Sequence, residues 1–314
     1  MSNLYIDRKN IILRNDGDCI GLYDAGGKQG SIPLGPLDRI VIVGNATLET
    51  SLLSKLSEEG VSLMILSGRK HQLSMMLGNY HNDAERRVNQ YAAFLDDSFR
   101  VQFSRTLVKN KLLSQLRQLQ QFLMTKTQNS QEKILVLEDK FQNLMSLLPT
   151  TTTLQSLRGI EGSAAKLYFS TLSGIVPESL NFFGRNKRPP RDPINAALSL
   201  GYTVLYGEAI AALHCGGLDP FIGFYHDLHY GRASLACDCI EPLRVKVDDL
   251  IFNLFSLHEL RLEHFSINSQ GCSMGKVART TFYQSIDPII KSVRTEMESW
   301  LFDLIKELEK RGHP

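Results

Sequence analysis

The 314-residue sequence has little of what would place it in a specialised class of protein. Its five cysteines are an odd, scattered set that indicates no disulfide framework and favours a reducing cytoplasm: Cys19, Cys215, Cys237, Cys239 and Cys272. The formal net charge is only +2, so any binding to nucleic acid must come from local basic patches. We expect no membrane span, because no apolar run is long enough, and no signal peptide, because the N-terminal residues lack that pattern.

What is present is the composition of an ordinary globular protein, with 43% hydrophobic and 22% charged residues. The length allows two domains or one large one. Short apolar runs separated by Gly- and Asn-containing turns indicate strands at the N-terminal end, whereas helical periodicity dominates from residue 83 onward. We therefore predict an α+β fold, with a small β-rich domain at 1–77, a linker at 78–92 and a larger all-α domain at 93–314.

The pattern also predicts individual elements. Strands are expected at 4–6, 10–14, 20–23, 39–43, 62–66 and 72–77, and one helix of the β-rich part at 47–59. Later helices are expected at 84–126, 131–147, 153–173, 193–213, 234–256 and 276–311. Basic residues are spread around the surface of the 84–126 helix, and for most of them we expect an ordinary solvated face: Arg100, Arg105, Lys109, Lys111 and Arg117.

The most informative segment is GFYHDLHYGRASLACDCIEPLR, at 223–244. It places His226 in an apolar stretch, and an apolar run then carries Asp238 and Glu241. Residues three apart lie on one face of a helix, and carboxylates on an apolar surface need a neutralising partner. A divalent cation bound with the histidine is the simplest partner. A core histidine beside a solvated or capping pair of acids is the alternative.

Structural zinc is a second alternative for the same segment. Its ligands would be His226, His229, Cys237 and Cys239. His-x-x-His followed by Cys-x-Cys is, however, not a common spacing for a zinc finger.

A third carboxylate, Glu161, lies in the apolar helical run LRGIEGSAAKLYFSTL. It falls beside the predicted buried stripe, and the small residues that follow it allow another element or a substrate to approach closely. A partly exposed glutamate in a capping arrangement is the alternative.

Four basic residues crowd a Gly- and Pro-rich loop ahead of the helix predicted at 193–213: Arg185, Lys187, Arg188 and Arg191. Proline limits how far such a loop can relax, so its cations are displayed. The loop is a candidate phosphate-binding strip whose binding would depend on salt, and a merely solvated basic loop is the alternative. Together, Glu161, His226 and Glu241 suit Mg²⁺ or Mn²⁺, and phosphodiester transfer is the reaction class that follows.

Three segments carry a resemblance to a known family: IEGSAAKLYF, GRNKRPPRDPINAALSLGYTVLYGEA and GFYHDLHYGRASLACDCIEPLR. In this order and spacing they strongly resemble the CRISPR-associated integrase, the universal endonuclease of spacer acquisition. The resemblance extends over nearly the whole chain. Cys237 and Cys239 depart from the family, which has aliphatic or aromatic residues beside the acid, but a thiol is small enough to pack there.

The resemblance implies a role for each matching residue. Glu161, His226 and Glu241 match the metal ligands, and Asp238 matches an acid that assists them. Residues that match DNA-contacting positions of the family, or flank its third motif, are Arg86, Arg87, Arg185, Lys187, Arg188, Arg191, Arg232 and Arg244. The family also implies a homodimer built through the β domain, and a small ferredoxin-like adaptation partner.

The implied function is DNA integration in CRISPR adaptation. The 3′-hydroxyl of a foreign DNA fragment would attack a phosphodiester at the edge of a CRISPR repeat, exchanging one phosphodiester for another. Two other classes stay open at this point: a metal-dependent nuclease that acts on branched DNA in repair, and a non-catalytic DNA-binding scaffold.

Overall fold

The computed structural model describes residues 2–67, 72–78, 81–126, 130–186 and 189–312. Its N-terminal part is rich in strands, as the turn-punctuated sequence predicts. The strands are β1 (Ser2–Ile6), β2 (Ile11–Asn15), β3 (Cys19–Asp24), β4 (Gly27–Pro33), β5 (Leu37–Val43), β6 (Ala46–Leu48), β7 (Ser62–Ser67) and β8 (Gln72–Met76), with helix α1 (Thr50–Glu58) between β6 and β7.

These strands form two four-stranded sheets, one in the order β4-β3-β2-β6 and the other in the order β1-β5-β7-β8. In the second sheet β5 runs parallel to both β1 and β7, and β8 is antiparallel to β7. Side chains alternate between the two faces of a strand. Ile40 and Ile42 on β5 accordingly join the core of the β-rich part, whereas Val41 joins the helical core. This sheet is therefore covered on both faces.

The rest of the described chain is mostly helical, which confirms the predicted α+β fold. Its helices are α2 (Glu85–Leu95), α3 (Asp97–Lys126), α4 (Ser130–Ser146), α5 (Leu154–Ser173), α6 (Pro193–Cys215), α7 (Ser234–Ile240), α8 (Arg244–Ser256) and α9 (Lys276–Gly312). Two short strands, β9 (Phe265–Asn268) and β10 (Gly271–Met274), form a hairpin that the sequence prediction lacks. The division at 1–77, 78–92 and 93–314 stays a prediction.

Two predicted helices are interrupted. The helix predicted at 84–126 breaks at Asp96, whose carboxylate accepts hydrogen bonds from the backbone N–H groups of Ser98 (2.9 Å) and Phe99 (3.2 Å) and so caps α3. The helix predicted at 234–256 is interrupted by a 3-10 turn, Glu241–Leu243. Pro242 lies in that turn and lacks the N–H that an α-helix needs.

Helix α6 passes through the centre of the helical part. Asp192 caps it by accepting a 2.8 Å hydrogen bond from the N–H of Asn195, and Pro193 occupies its first turn. In the described part of the chain, α6 is the one helix long and apolar enough to cross a membrane, and 72% of its apolar window is buried inside the fold. The sequence prediction of no sufficiently apolar run was therefore wrong for α6, which here serves as a core helix.

Ion pairs join α6 and α9 to the β-rich part. Glu208 on α6 is 2% exposed and contacts Arg39 on β5. Arg294 on α9 lies 2.7 Å from Glu208 and 2.6 Å from Asp38. A charge as deeply buried as that of Glu208 needs partners, and here two guanidinium groups, those of Arg39 and Arg294, face it. The network connects the second sheet of the β-rich part to helices α6 and α9.

Candidate active site

Asp238 organises the segment that carries the histidine. Its carboxylate, fully buried, accepts hydrogen bonds from the backbone N–H groups of Phe224 (2.7 Å), Tyr225 (3.0 Å) and His226 (3.0 Å). The same carboxylate lies 2.6 Å from Nδ1 of His226. Because an ionised carboxylate only accepts hydrogen bonds, Nδ1 of His226 is the donor. The other ring nitrogen, Nε2, faces Glu241 and lies 3.8 Å from its Oε1.

A glycine lets this segment lie against α7. A Cβ atom at Gly223 would meet the carbonyl carbon of Ser234 at 2.6 Å and the nitrogen of Leu235 at 2.8 Å. The Ser234 hydroxyl also donates a 2.8 Å hydrogen bond to the carbonyl oxygen of Asp227. The close approach brings the N–H groups of residues 224–226 within reach of the carboxylate on α7.

The two glutamates come from different elements and meet at a lysine. Glu161 projects from α5, and Glu241 opens the 3-10 turn after α7. The ammonium of Lys111 on α3 contacts both carboxylates. It lies 2.5 Å from Oε2 of Glu241 and also contacts Oε1 of Glu161. The Lys111 side chain is 11% exposed, so Lys111 does not lie on the solvated face expected for most of the basic residues of this helix. It lies four residues after Leu107 and three after Val108, both buried, which places it on the inner face of α3.

The charges around Glu241 keep it ionised. Burial alone would raise the pKa of its carboxyl, but the opposite charges of Arg244 and Lys111 lower that pKa to about 2. Burial also acts to lower the pKa of Lys111, yet the carboxylates of Glu241 and Glu161 raise it above its ordinary value. The site therefore holds the Glu241 carboxylate and the Lys111 ammonium in charged form.

A cavity of about 250 Å³ opens beside this cluster, lined by Arg158, Glu161, Tyr225, His226 and Glu241. Arg158 lies outside the residues predicted from sequence. Its guanidinium donates a 2.9 Å hydrogen bond to the carbonyl oxygen of Tyr225 and pairs with Asp227 at 2.7 Å. Since Arg158 stands three residues before Glu161 on α5, helical spacing was the signal that could have placed both at one site.

The donor set fits a hard divalent cation, although the side chains do not converge as a formed site. Among the described residues, no three His, Cys, Asp or Glu side chains form a group that could hold a metal ion. Carboxylate oxygens of Glu161 and Glu241 nevertheless share one positive charge, that of the Lys111 ammonium, with Nε2 of His226 nearby. The Lys111 ammonium therefore occupies the place between two of the predicted metal ligands. Oxygen donors together with one imidazole suit Mg²⁺ or Mn²⁺.

The alternative zinc set is not supported by this geometry. His229 lies 2.9 Å from the carbonyl oxygen of Tyr230, and Cys239 is 2% exposed. Burial raises the pKa of Cys237 to about 11 and that of Cys239 further still. Zinc binds thiolates, which such burial disfavours.

Two of the predicted DNA-contacting arginines turn inward and flank one tyrosine. The guanidinium of Arg185 donates to Oδ1 of Asn195 and to Oγ of Ser199 (2.6 and 3.1 Å), and its central carbon lies 5.3 Å from the ring centre of Tyr202. Arg244 lies 4.7 Å from the same ring centre and pairs with Glu241 at 3.2 Å. These contacts connect the basic loop to the carboxylate site.

The other basic residues are dispersed. Arg232 donates a 2.5 Å hydrogen bond to the carbonyl oxygen of Asp227, and Arg191 is exposed at the start of α6. Arg86 pairs with Asp83 at 3.3 Å, and Arg87 reaches the carbonyl oxygen of Asp83 at 3.5 Å. Arg86 also lines a separate cavity of about 560 Å³ between α2 and α9. Lys187 and Arg188 lie outside the described residues, so their predicted placement in the basic loop stays a prediction.

Fold and site together define a class of protein: a β-rich N-terminal part, a helical part, and a partly buried glutamate–histidine cluster open to a cavity. A family model for the CRISPR-associated protein Cas1 matches residues 4–287. The chain is also 40% identical over 297 residues to a CRISPR-associated endonuclease Cas1 of Thermodesulfovibrio yellowstonii, covering 94% of this chain and 93% of that protein. The chain belongs to the Cas1 family.

Solved structures share its fold. A Cas1 protein from Thermotoga maritima matches with a TM-score of 0.85 and 21% identity, over 98% of this chain and 97% of the other. A casposase bound to its integration product matches with a TM-score of 0.83 and 19% identity, over 100% of this chain and 92% of the other. At such identities the likeness concerns the fold.

Proposed function

We propose that this protein is a metal-dependent DNA endonuclease and integrase of CRISPR adaptation. Its substrates would be a foreign DNA fragment with a free 3′-hydroxyl and the CRISPR repeat, and its reaction a transesterification that joins them. The observation that carries the proposal is the meeting of Glu161, Glu241 and His226 at one cavity from three separate elements. Membership of the Cas1 family, and a relative described as an endonuclease, support the same activity.

Glu161, His226 and Glu241 are the residues that would hold Mg²⁺ or Mn²⁺. Such an ion, when bound, supplies Lewis-acid stabilisation of charge on the phosphoryl oxygens. Asp238 fixes the histidine through Nδ1, so that Nε2 keeps its lone pair directed at the cavity. Arg244 helps to keep Glu241 ionised, and this makes its carboxylate a ligand at neutral pH.

The positive groups around the cavity would bind and orient DNA. Arg158 presents a partly exposed guanidinium at the cavity, held in place by Asp227, where it can contact a phosphodiester. Arg191, exposed at the start of α6, and the neighbouring Lys187 and Arg188 would extend that contact along the backbone of the DNA.

The inward-facing arginines need a revised role. Arg185 and Arg244 would act mainly by holding Tyr202 and Glu241 in position, because their guanidinium groups already have partners. Arg232 would support the turn at Asp227. Arg86 and Arg87, which lie away from this cavity, would contact DNA only at a second surface near α2 and α9.

We also propose the assembly that the family implies: a homodimer joined through the β-rich part, which works in the cytoplasm with a small ferredoxin-like partner protein. Arg294 on α9 is tied to the β-rich part by its partly buried pair with Asp38 on β5, and it also pairs with Glu208 on α6. That link would let a dimer contact in the β-rich part keep a fixed position relative to the site.

Strand transfer tests the proposal directly. A labelled DNA fragment with a 3′-hydroxyl is incubated with a supercoiled plasmid that carries a CRISPR repeat, in Mn²⁺ or in EDTA, with and without the partner protein. We expect covalent joining that requires both Mn²⁺ and Glu241, so that Glu241→Ala gives none. Hydrolysis without joining would instead indicate a nuclease for branched DNA, and binding without any cleavage or joining would indicate a scaffold.

A further inference from the structure

Lys111 occupies the position on which the proposed metal chemistry depends. Its ammonium touches an oxygen of Glu161 and an oxygen of Glu241, and the side chain is nearly buried. In the described part of the chain, Lys111 is the one ion-pair partner of Glu161. The two carboxylates, from α5 and from the turn after α7, are therefore connected by a cation that belongs to the protein.

An ammonium and a divalent cation cannot use these oxygens together. Each needs the same lone pairs at short distance, and like charges about 4 Å apart repel strongly at the low effective dielectric constant of a buried site. A lysine ammonium sits on a flexible four-carbon stem and can be displaced. The neighbouring Arg244 pairs with Oε1 of Glu241 and leaves Oε2 to Lys111, so the lysine blocks a specific oxygen.

We propose that Lys111 is an internal competitor of the divalent cation. In the metal-free protein its ammonium holds Glu161 and Glu241 at their positions, and it must leave them when the cation binds. This inference rests on the metal-dependent function proposed above and adds to it a residue that sets the affinity for the metal.

Mn²⁺ binding to the full chain, measured from the electron paramagnetic resonance signal of the free ion, tests this without any assay of activity. The variants are Lys111→Met and Lys111→Gln, which both remove the charge. Lys109→Met is the matched control, because Lys109 is exposed on the same helix. We expect both Lys111 variants to bind Mn²⁺ with a dissociation constant lower by about tenfold or more, since the competing charge is gone, and Lys109→Met to bind as the wild type does.

A second readout follows from the same competition. In EDTA the Lys111 variants leave two carboxylates without their shared cation, so their Tm should fall below that of the wild type and rise more on addition of Mn²⁺. If Lys111→Met does not fold in EDTA, Lys111→Gln, which can still donate hydrogen bonds, gives the comparison.

The outcomes separate this inference from the proposed function. Equal Mn²⁺ affinity in the wild type and both Lys111 variants, at a site that Glu161→Ala abolishes, would overturn the competitor role and leave the metal site intact. Absence of any Mn²⁺ binding that depends on Glu161 would overturn the competitor role together with the metal-dependent function.

Discussion

Replacing Asp248 by asparagine should change how the stability of this protein depends on pH. Asp248 on α8 is 2% exposed and accepts hydrogen bonds from the phenols of Tyr168, at 2.9 Å, and Tyr202. Burial raises the pKa of its carboxyl from 3.8 to about 6, and the tyrosine hydrogen bonds oppose this only in part. Tyr202 is the ring flanked by Arg185 and Arg244, so Asp248 lies directly behind the candidate site.

The sign of the effect follows from the two pKa values of Asp248. The unfolded chain loses this proton near pH 3.8, and the folded protein loses it near pH 6. The folded state therefore holds the extra proton between those values, and the stabilisation from Asp248 is complete below pH 3.8 and is lost as the pH rises through 6. A difference of about two pH units corresponds to about 3 kcal/mol of unfolding free energy.

Urea unfolding of the wild type and Asp248→Asn measures this difference. Asparagine does not titrate. As the pH rises from about 4 to about 7, the difference in unfolding free energy between Asp248→Asn and the wild type should therefore move in favour of the variant by about 3 kcal/mol. Asp303→Asn, at an exposed position of α9, is the control and should show no such trend. A difference between Asp248→Asn and wild type that does not change with pH would refute the reasoning.

Substitutions at four further positions test the site. Glu161→Ala or His226→Ala should abolish strand transfer, while a gel-shift assay shows DNA binding largely retained; transfer at the wild-type rate would contradict the ligand assignment. Asp238→Ala should lower the free energy of unfolding by roughly 3 kcal/mol or more in urea, because buried N–H groups lose their acceptor, and an unchanged midpoint would count against this. Gly223→Ala should cost about 1–3 kcal/mol through its clash with α7, measured by thermal unfolding. Gly159→Ala, where nothing lies within 4 Å, is its control, and equal effects would argue against the clash.

The pairing of His226 with Asp238 shows how much of the site can be predicted from residues that are close in the sequence. A histidine and a carboxylate in apolar surroundings both need partners, and each is a partner of the other in the structure. The spacing of Asp238 and Glu241 predicted one shared helical face. In the structure the two acids have different contacts. Helix α7 ends in a 3-10 turn that contains Pro242, and Glu241 in that turn faces the cavity, whereas Asp238 binds the segment that carries His226.

Lys111 shows where local sequence stops being sufficient. Its partners lie 50 and 130 residues further along the chain, so only the packing of α3 against α5 and the turn after α7 brings them together. Leu107 and Val108 are buried on the same face of α3, but a lysine beside such residues has no local sign in the sequence of what neutralises it. The inward turn of Arg185 has the same origin, because it depends on Tyr202 and Asn195 of α6.

The balance of charge explains why these buried cations and carboxylates belong together. Counted as formal charges, the two glutamates Glu161 and Glu241 are matched by Lys111 and Arg244, so these two carboxylates are balanced without a metal. On the proposed function, a divalent cation that displaces Lys111 leaves the lysine charge close by, and the cavity then carries an excess of positive charge. The natural counterion for that excess is a phosphodiester. Metal and DNA would thus favour each other's binding, and a site that is balanced when empty would become attractive to DNA once the cation is in place.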